Sequence, residues 1–359
     1  MNKFKDLVDF GPVALSEARS LRGSVPVTPL KAKDKIVEQV ESMASEAMAA
    51  WGGAASPPVL WRKREDLVFK VARRDGTIIS IRFHRQGYQG QRQILSEISF
   101  LTDLGRSGIN CPRPVATTGG DFLLEYRDYI VTAQTWLFGQ PIGYEDTPLN
   151  GDAAEQVDLF TCIGTSLAEF HNAADRIDPP HLDKRLPWNA EGFLGKAPNW
   201  GRFWDNPNLT SEERSVLLEA RAAAFSDMSV LAQSGADYGL IHGDMRRECL
   251  LGYGAKLAFI DFVDFGPGFR LLDIAGVLSQ NVDLRNRAEL QAALVTGYRE
   301  KRPLSDRTLE FLPLMIALRD MSLSGWVVDR YNSEEPAVRR AAKRAVRSAS
   351  AWLDARLGG

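Results

Sequence analysis

Two aspartates, Asp244 and Asp261, occur in a setting typical of a catalytic acidic pair. Asp244 lies in "IHGDMRRECLL", where His242 and several charged residues separate two apolar segments, and Asp261 ends "KLAFID". The residues between them read as strand, glycine-bearing turn and strand, and the two ends of an antiparallel hairpin lie side by side. Neighbouring carboxylates repel each other unless they hold a cation or take a proton. The pattern predicts a metal-assisted or proton-transfer site; alternatively, both aspartates cap turns or pair with Arg246 and Arg247.

The segments that must position this pair read as a β-rich part followed by a helical part. "VLWRKREDLVFKVARRDGTIISIRFHR" predicts strands with a hairpin turn at Asp75–Gly76, "QILSEISFLTDLGRSG" a helix, and "DFLLEYRDYIVTAQTWLFGQPIG" two further strands. From Asp152 onward the pattern is mainly helical. We therefore predict a small β-rich lobe at residues 52–140 and a larger, mainly helical lobe at residues 141–359, joined near Phe138–Gly143.

Both ends of the chain carry an amphipathic helical pattern. Residues 1–51 read as an irregular arm up to about Val27 and then a helix, with Thr28 as N-cap and Pro29 as its first residue. Its apolar stripe either binds a partner or, as we favour, packs on the small lobe. The final segment, "PAVRRAAKRAVRSASAWLDARL", favours a packed helix with a solvated basic back over a site for an acidic partner or lipid.

Composition and charge are those of an ordinary globular protein. The 359 residues are 44% hydrophobic and 25% charged, with a formal net charge of −2. Nucleic acids and anionic membranes attract a net positive field, so neither is an expected partner. The chain has no run of about twenty apolar residues and no secretory signal pattern at its start. Its three cysteines show no metal-binding or disulfide spacing, which predicts a cytoplasmic protein.

Two sets of motifs resemble a known family. "YGLIHGDMRREC" followed by "FIDFVDFGPGFRLLDIA" resembles the catalytic segment of aminoglycoside phosphotransferase-like kinases, and "IRFHRQGYQGQRQILSEISFLTDL" resembles their small-lobe strand and helix. The resemblance implies an α+β, bilobal protein-kinase-like fold. It also implies transfer of the γ-phosphate of ATP, with Mg²⁺, to a hydroxyl of a small molecule (aminoglycoside, amino alcohol or sugar-like) or of a protein Ser/Thr. The acceptor and the oligomeric state stay open.

The resemblance also implies roles for individual residues. Asp244 would accept or orient the proton of the attacking hydroxyl, with His242 orienting its loop, and Asp261 would hold Mg²⁺. Arg82 would hold the phosphates and Glu97 would fix its position, the alternative being a surface ion pair. The backbone groups expected to meet the adenine belong to Gln134, Thr135, Trp136 and Leu137.

Other charged residues near the two motifs are interpreted as supporting groups. Arg270 and Asp273 are predicted to form a buried ion pair behind the metal site. Asp264 either lines the site or ends the turn. Arg246 and Arg247 either bind an anionic group or lie on a solvated loop face.

Cys249 departs from the pattern, because the family has Asn at this metal-ligand position. A thiol is a poor ligand for Mg²⁺, which prefers oxygen. The chain is therefore an enzyme with one protein-held ion, a slow enzyme, or a pseudokinase that binds nucleotide as a scaffold or regulator. The presence of Asp244, Asp261, Arg82 and Glu97 together favours an active enzyme.

Overall fold

The first lobe is built on one antiparallel sheet, in the computed structural model that describes residues 35–63, 66–145, 147–253 and 256–357. Its strands are β1 (Val59–Lys63), β2 (Leu67–Ala72), β3 (Ile78–Phe83), β4 (Leu124–Tyr126) and β5 (Tyr129–Thr135). The five strands follow the order β1-β2-β3-β5-β4. Asp75–Gly76 forms the turn between β2 and β3, where Gly76 takes a φ of +83° that suits glycine. The predicted hairpin is confirmed.

Two helices accompany this sheet, α1 (Lys35–Ala47), continued by a 3₁₀ turn at Met48–Trp51, and α2 (Gln91–Arg106). The buried side of α1 and its 3₁₀ turn packs on sheet residues in one apolar cluster, which contains Met43, Ala44, Ala47, Met48, Trp51, Phe69, Val71, Ile79, Ile81 and Phe83. The indole of Trp51 also donates a hydrogen bond to the carbonyl of Val115, at 2.9 Å. The prediction that this helix packs on the small lobe is confirmed, whereas the arm, Thr28 and Pro29 lie outside the described residues.

The second lobe is mainly helical, and polar caps mark where its longer helices begin. The side chain of Asp152 accepts from the backbone of Glu155, and Thr210 accepts from Glu213, so each helix starts with a capping box. The helices are α3 (Ala153–Ala174), α4 (Ala190–Leu194), α5 (Ser211–Gln233), α6 (Leu271–Ser279), α7 (Arg287–Arg299), α8 (Asp306–Leu309), α9 (Leu312–Trp326) and α10 (Pro336–Leu357). None of the helices in the described part of the chain has the length and apolarity needed to cross a bilayer.

Two small antiparallel ribbons carry the predicted catalytic segments. The strands are β6 (Tyr238–Ile241), β7 (Leu250–Tyr253), β8 (Lys256–Phe259) and β9 (Gly266–Phe269). Strand β6 pairs with β9, and β7 pairs with β8 in a register that sets Leu250 opposite Phe259. Residues just before β7 and just after β8 therefore lie at the same end of a hairpin, as predicted. The α+β class, with a β-rich first part and a helical remainder, is confirmed.

Helix α10 packs through an apolar stripe that includes Val338, Ala345 and Trp352. Its basic back is mostly solvated, as predicted, but Arg344 turns inward and donates to Asp320 at 2.8 Å. The division into lobes at residues 52–140 and 141–359 stays a prediction.

Candidate active site

Asp244 and Asp261 meet on two sides of one guanidinium. Arg246 Nε lies 2.8 Å from Asp244 Oδ2, and Arg246 Nη2 lies 3.4 Å from Asp261 Oδ2. Arg246 is only 5% exposed and Arg247 only 2%, so the alternative that both lie on a solvated loop face is wrong. The reason is that the two partly buried carboxylates draw the guanidinium of Arg246 inward as their partner charge. Arg247 instead donates to backbone carbonyls and to the side chain of Asn281, at 2.6 Å.

Two further arginines, which the sequence reasoning missed, complete the charge balance. Arg319 Nη2, on α9, lies 2.6 Å from Asp244 Oδ1. Arg62 Nη2, on β1 of the first lobe, lies 2.7 Å from Asp261 Oδ2. Arg62 thus joins the sheet of the first lobe to the β7–β8 hairpin segment. The only sequence signal for Arg319 is a charged pair inside the apolar helix "LPLMIALRDMSLSGW".

The backbone of the Asp244 loop is held by Asp273. The amide of His242 donates to Asp273 Oδ2 at 2.8 Å, and that of Gly243 donates to Oδ1 at 3.0 Å. His242 Nε2 donates to the carbonyl of Ile260 at 2.9 Å, so its Nδ1 is the acceptor for the amide of Asp244 at 3.3 Å. His242 therefore links the loop before β7 to the residue before Asp261.

Only glycine fits at the centre of this loop. Gly243 has a φ of +84°, and a Cβ there would lie 2.3 Å from the carbonyl oxygen of Asp264 and 2.6 Å from Trp188 Nε1. This close packing fixes the backbone position from which the side chain of Asp244 extends. Asp261 itself has a φ of +74°, a strained backbone conformation that is uncommon outside glycine and concentrated at functional sites.

The predicted ion pair between Arg270 and Asp273 is wrong. Asp273 already accepts from the loop amides and from His171 Nε2, at 3.1 Å, so its oxygens are occupied. The side chain of Arg270 instead pairs with Asp175 and with Asp237, the latter at 3.4 Å. Asp264 accepts from the hydroxyl of Tyr88 at 2.6 Å and the indole of Trp200 at 3.2 Å, so it joins the two lobes.

Arg82 and Glu97 form a buried pair, so the surface alternative is wrong. Arg82 Nη1 lies 2.6 Å from Glu97 Oε1, and its Nη2 lies 2.7 Å from Asp66 Oδ2. Burial alone would raise the pKa of Asp66, but His84 and Arg82 hold it well below its ordinary value. These contacts use three of the five N–H donors of the guanidinium, so Arg82 can still donate to a phosphate.

The predicted adenine-binding segment is partly used by the sheet. The amide of Thr135 donates to the carbonyl of Arg113 at 2.8 Å, and that of Trp136 donates to Ile78 at 3.1 Å. Gln134 is paired within the sheet, opposite Ser80. Of the four residues expected to meet the adenine, Gln134, Thr135 and Trp136 therefore have backbone pairings of this kind, whereas Leu137 lies beyond the end of β5.

The side chains present fit one magnesium ion. Cys249 is buried, and its Sγ contacts the carbonyl of Asp244 at 3.4 Å. Burial raises the pKa of its thiol to about 12, so a neutral thiol faces the site. Among the described residues no group of three or more His, Cys, Asp or Glu side chains could hold a metal. Mg²⁺ usually binds through one or two carboxylates together with substrate phosphates, and Asp261 supplies one such carboxylate.

A small cleft that is open to solvent lies beside Asp244. Its walls combine charged groups with two indoles. The cleft is lined by Glu145, Trp200, Asp244, Arg246, Ser279, Gln280, Arg319, Asp320, Leu323, Trp326 and Arg344.

Comparisons with known proteins identify the family and the fold. A family model described as "Phosphotransferase enzyme family" matches residues 54–311. A homoserine kinase of Chelativorans sp. is 26% identical over 225 residues, which are 61% of this chain and 63% of that enzyme. A microcompartment-associated aminopropanol kinase has a similar structure, with a TM-score of 0.73 and 25% identity over 88% of this chain and 98% of the other. An amicoumacin kinase in complex with AMP-PNP and Ca²⁺ has a TM-score of 0.71 at 16% identity, covering 88% and 96%.

Proposed function

Since the chain belongs to the phosphotransferase enzyme family, we propose that it transfers the γ-phosphate of ATP to a hydroxyl group of a small molecule. The predicted family and protein-kinase-like fold are confirmed by the family match and by the structural neighbours. One observation carries the proposal: Asp244 and Asp261 lie at one end of the β7–β8 hairpin and share the guanidinium of Arg246, and Asp244 lines a cleft.

Asp244 is the residue proposed to orient the acceptor. Each of its oxygens already accepts from one arginine, Oδ2 from Arg246 and Oδ1 from Arg319. A carboxylate has about four lone-pair sites, so lone pairs remain for a hydroxyl donor. The hydroxyl oxygen would form the new bond to the γ-phosphorus as the bond to the bridging oxygen breaks. ADP then leaves, and the hydroxyl proton passes to Asp244 or to solvent.

The phosphate side of the site is proposed to consist of Asp261, Arg62 and Arg246. Asp261 would hold one Mg²⁺ together with the phosphates, and that ion, when bound, would neutralise charge on the β- and γ-phosphate oxygens. Arg62 and Arg246 contact the same carboxylate, at 2.7 and 3.4 Å, and would contact phosphate oxygens in the complex. Because Cys249 provides no oxygen ligand for a second ion, these two guanidinium groups would supply positive charge for the phosphates.

A small-molecule acceptor is favoured over a protein Ser/Thr. The cleft beside Asp244 is narrow, and related enzymes are named for small acceptors, homoserine and aminopropanol. The match spans less than two thirds of the homoserine kinase, so we propose for this chain only the class of acceptor, a small molecule, and not homoserine itself. We propose that the backbone groups that bind the adenine are those near Leu137.

The test is acceptor-dependent turnover of ATP. Purified protein is mixed with ATP and a panel of amino alcohols, hydroxy acids and sugars, with Mg²⁺ or with EDTA, and ADP and phosphorylated product are measured. The proposal expects product with at least one acceptor and only with a divalent ion. Mg²⁺-dependent binding of ATP without product on the whole panel would instead support the pseudokinase alternative that Cys249 raises.

A further inference from the structure

The cleft contains a guanidinium with hydrogen-bond donors left over. Arg319 is 5% exposed and donates through Nη2 to Asp244 Oδ1 at 2.6 Å. Its Nε and Nη1 have no hydrogen-bond partner among the residues that the structure describes. A buried N–H group without an acceptor costs its full desolvation, and more so on a charged side chain. Such a group in a substrate cleft indicates a missing ligand atom.

The other arginines of the cleft are occupied. Arg246 pairs with both catalytic aspartates, and Arg344 donates to Asp320 and to the carbonyl of Ser279, at 2.8 and 2.7 Å. Asp320, next to Arg319 in α9, is taken up by Arg344 and by the hydroxyl of Ser348 at 2.5 Å. The nearest carboxylate in sequence is therefore not the partner of Arg319.

We propose that the acceptor is a small hydroxy acid, whose carboxylate accepts hydrogen bonds from Arg319 while its hydroxyl is oriented by Asp244. The inference rests on the proposed phosphotransfer and specifies its acceptor. Guanidinium groups match planar carboxylates in geometry and charge, and these hydrogen bonds are among the strong ones. An amino alcohol without the carboxylate would bring no anionic acceptor to these nitrogens of Arg319.

The geometry also limits the size of the acceptor. Arg319 touches the carboxylate of Asp244 directly, so a hydroxyl on Asp244 and an anion on Arg319 must be separated by only a few bonds. The indole of Trp200 stands beside this guanidinium, 5.5 Å from its central carbon to the ring centre, and closes one side. The short separation between Asp244 and Arg319 favours a small hydroxy acid over a multi-ring sugar.

Matched acceptor pairs that differ only in a carboxylate test this inference. The pairs are L-homoserine and 3-amino-1-propanol, L-threonine and 1-amino-2-propanol, and L-serine and ethanolamine. For each compound, kcat/KM is measured with Mg²⁺ and ATP. The proposal expects the carboxylated member of the best pair to be preferred by about tenfold or more, as for loss of a charge-assisted hydrogen bond.

Variants of Arg319 assign that preference to one side chain. Arg319→Gln should remove the preference for the carboxylated member of each pair, and any effect on the rate through Asp244 should apply to both members alike; Arg319→Lys should keep part of the preference. Arg340→Gln, on the exposed face of α10, is the matched control and should change neither. Circular dichroism and thermal melting check that each variant folds.

Binding separates this inference from the proposed function. The same six compounds are titrated calorimetrically into protein loaded with AMP-PNP and Mg²⁺. Tighter binding of the carboxylated members that Arg319→Gln abolishes supports the inference, even if none of the six is phosphorylated. Equal binding and equal use of both members, or a preference that survives Arg319→Gln, overturns it while leaving phosphotransfer intact.

Discussion

Replacing Arg62 with Gln should strengthen metal binding by the nucleotide-free protein. Arg62 Nη2 lies 2.7 Å from Asp261 Oδ2, with the two side chains 28% and 19% exposed, so a divalent ion must compete with this guanidinium. Unit charges about 4 Å apart attract by about 1 kcal/mol in water and about 4 kcal/mol near a protein surface. Partial exposure favours the lower part of this range. We expect the Kd for Mn²⁺ to fall about tenfold, which corresponds to about 1.4 kcal/mol.

The assay is a titration with Mn²⁺ followed by the electron paramagnetic resonance of the free ion. Arg74→Gln, on the exposed turn between β2 and β3, is the matched control and should leave the Kd unchanged. Because Arg62 is also proposed to contact phosphate, the same variant should raise the KM for ATP about tenfold. Unchanged or weaker Mn²⁺ binding by Arg62→Gln would refute competition for Asp261.

Three other substitutions test the loop, the interior and the metal site. Gly243→Ala forces a Cβ to 2.3 Å from the carbonyl oxygen of Asp264. We expect the free energy of unfolding, measured in urea, to fall by about 2–4 kcal/mol. We also expect kcat/KM to fall at least about a hundredfold. Burial lowers the pKa of His171 below 6.5, so the unfolded chain binds this proton more tightly and stability should fall as the pH drops through about 6.5. His171→Asn should flatten that dependence in thermal melts; an unchanged slope would contradict it. Cys249→Asn provides an oxygen ligand, so the rate should show a second saturable phase in free Mg²⁺, which Cys249→Ala should lack.

Local pattern was enough to predict the hairpin and the meeting of Asp244 with Asp261. Alternating strands, a glycine-bearing turn and the geometry of an antiparallel pair involve only neighbouring residues. The same holds for the hairpin at Asp75–Gly76 and for the helix whose apolar stripe packs on the first lobe. The burial of the pair formed by Arg82 and Glu97 was left open, because one sequence does not tell which face of a strand is covered.

The arginines around the acidic pair could not be predicted in this way. Arg62 is 199 residues from Asp261, and Arg319 is 75 residues from Asp244, so only the tertiary fold joins them. Arg246 was left between a solvated face and an anion site because a long side chain does not reveal its direction. Arg270 and Asp273 are three residues apart, yet their side chains leave the start of α6 on different sides.

Single-turnover phosphotransfer tests the central claim, that Asp244 and Asp261 act on one metal–ATP complex. Once an acceptor is known, wild type, Asp244→Asn and Asp261→Asn are mixed with labelled ATP, Mg²⁺ and acceptor, and product is quantified by rapid quench. We predict that Asp244→Asn binds Mg²⁺–ATP as wild type does but transfers phosphate about 10²–10⁴-fold more slowly. Asp261→Asn should lose both transfer and the metal dependence of ATP binding. Transfer by Asp244→Asn within a few fold of wild type, or metal-dependent ATP binding that survives Asp261→Asn, would contradict the account.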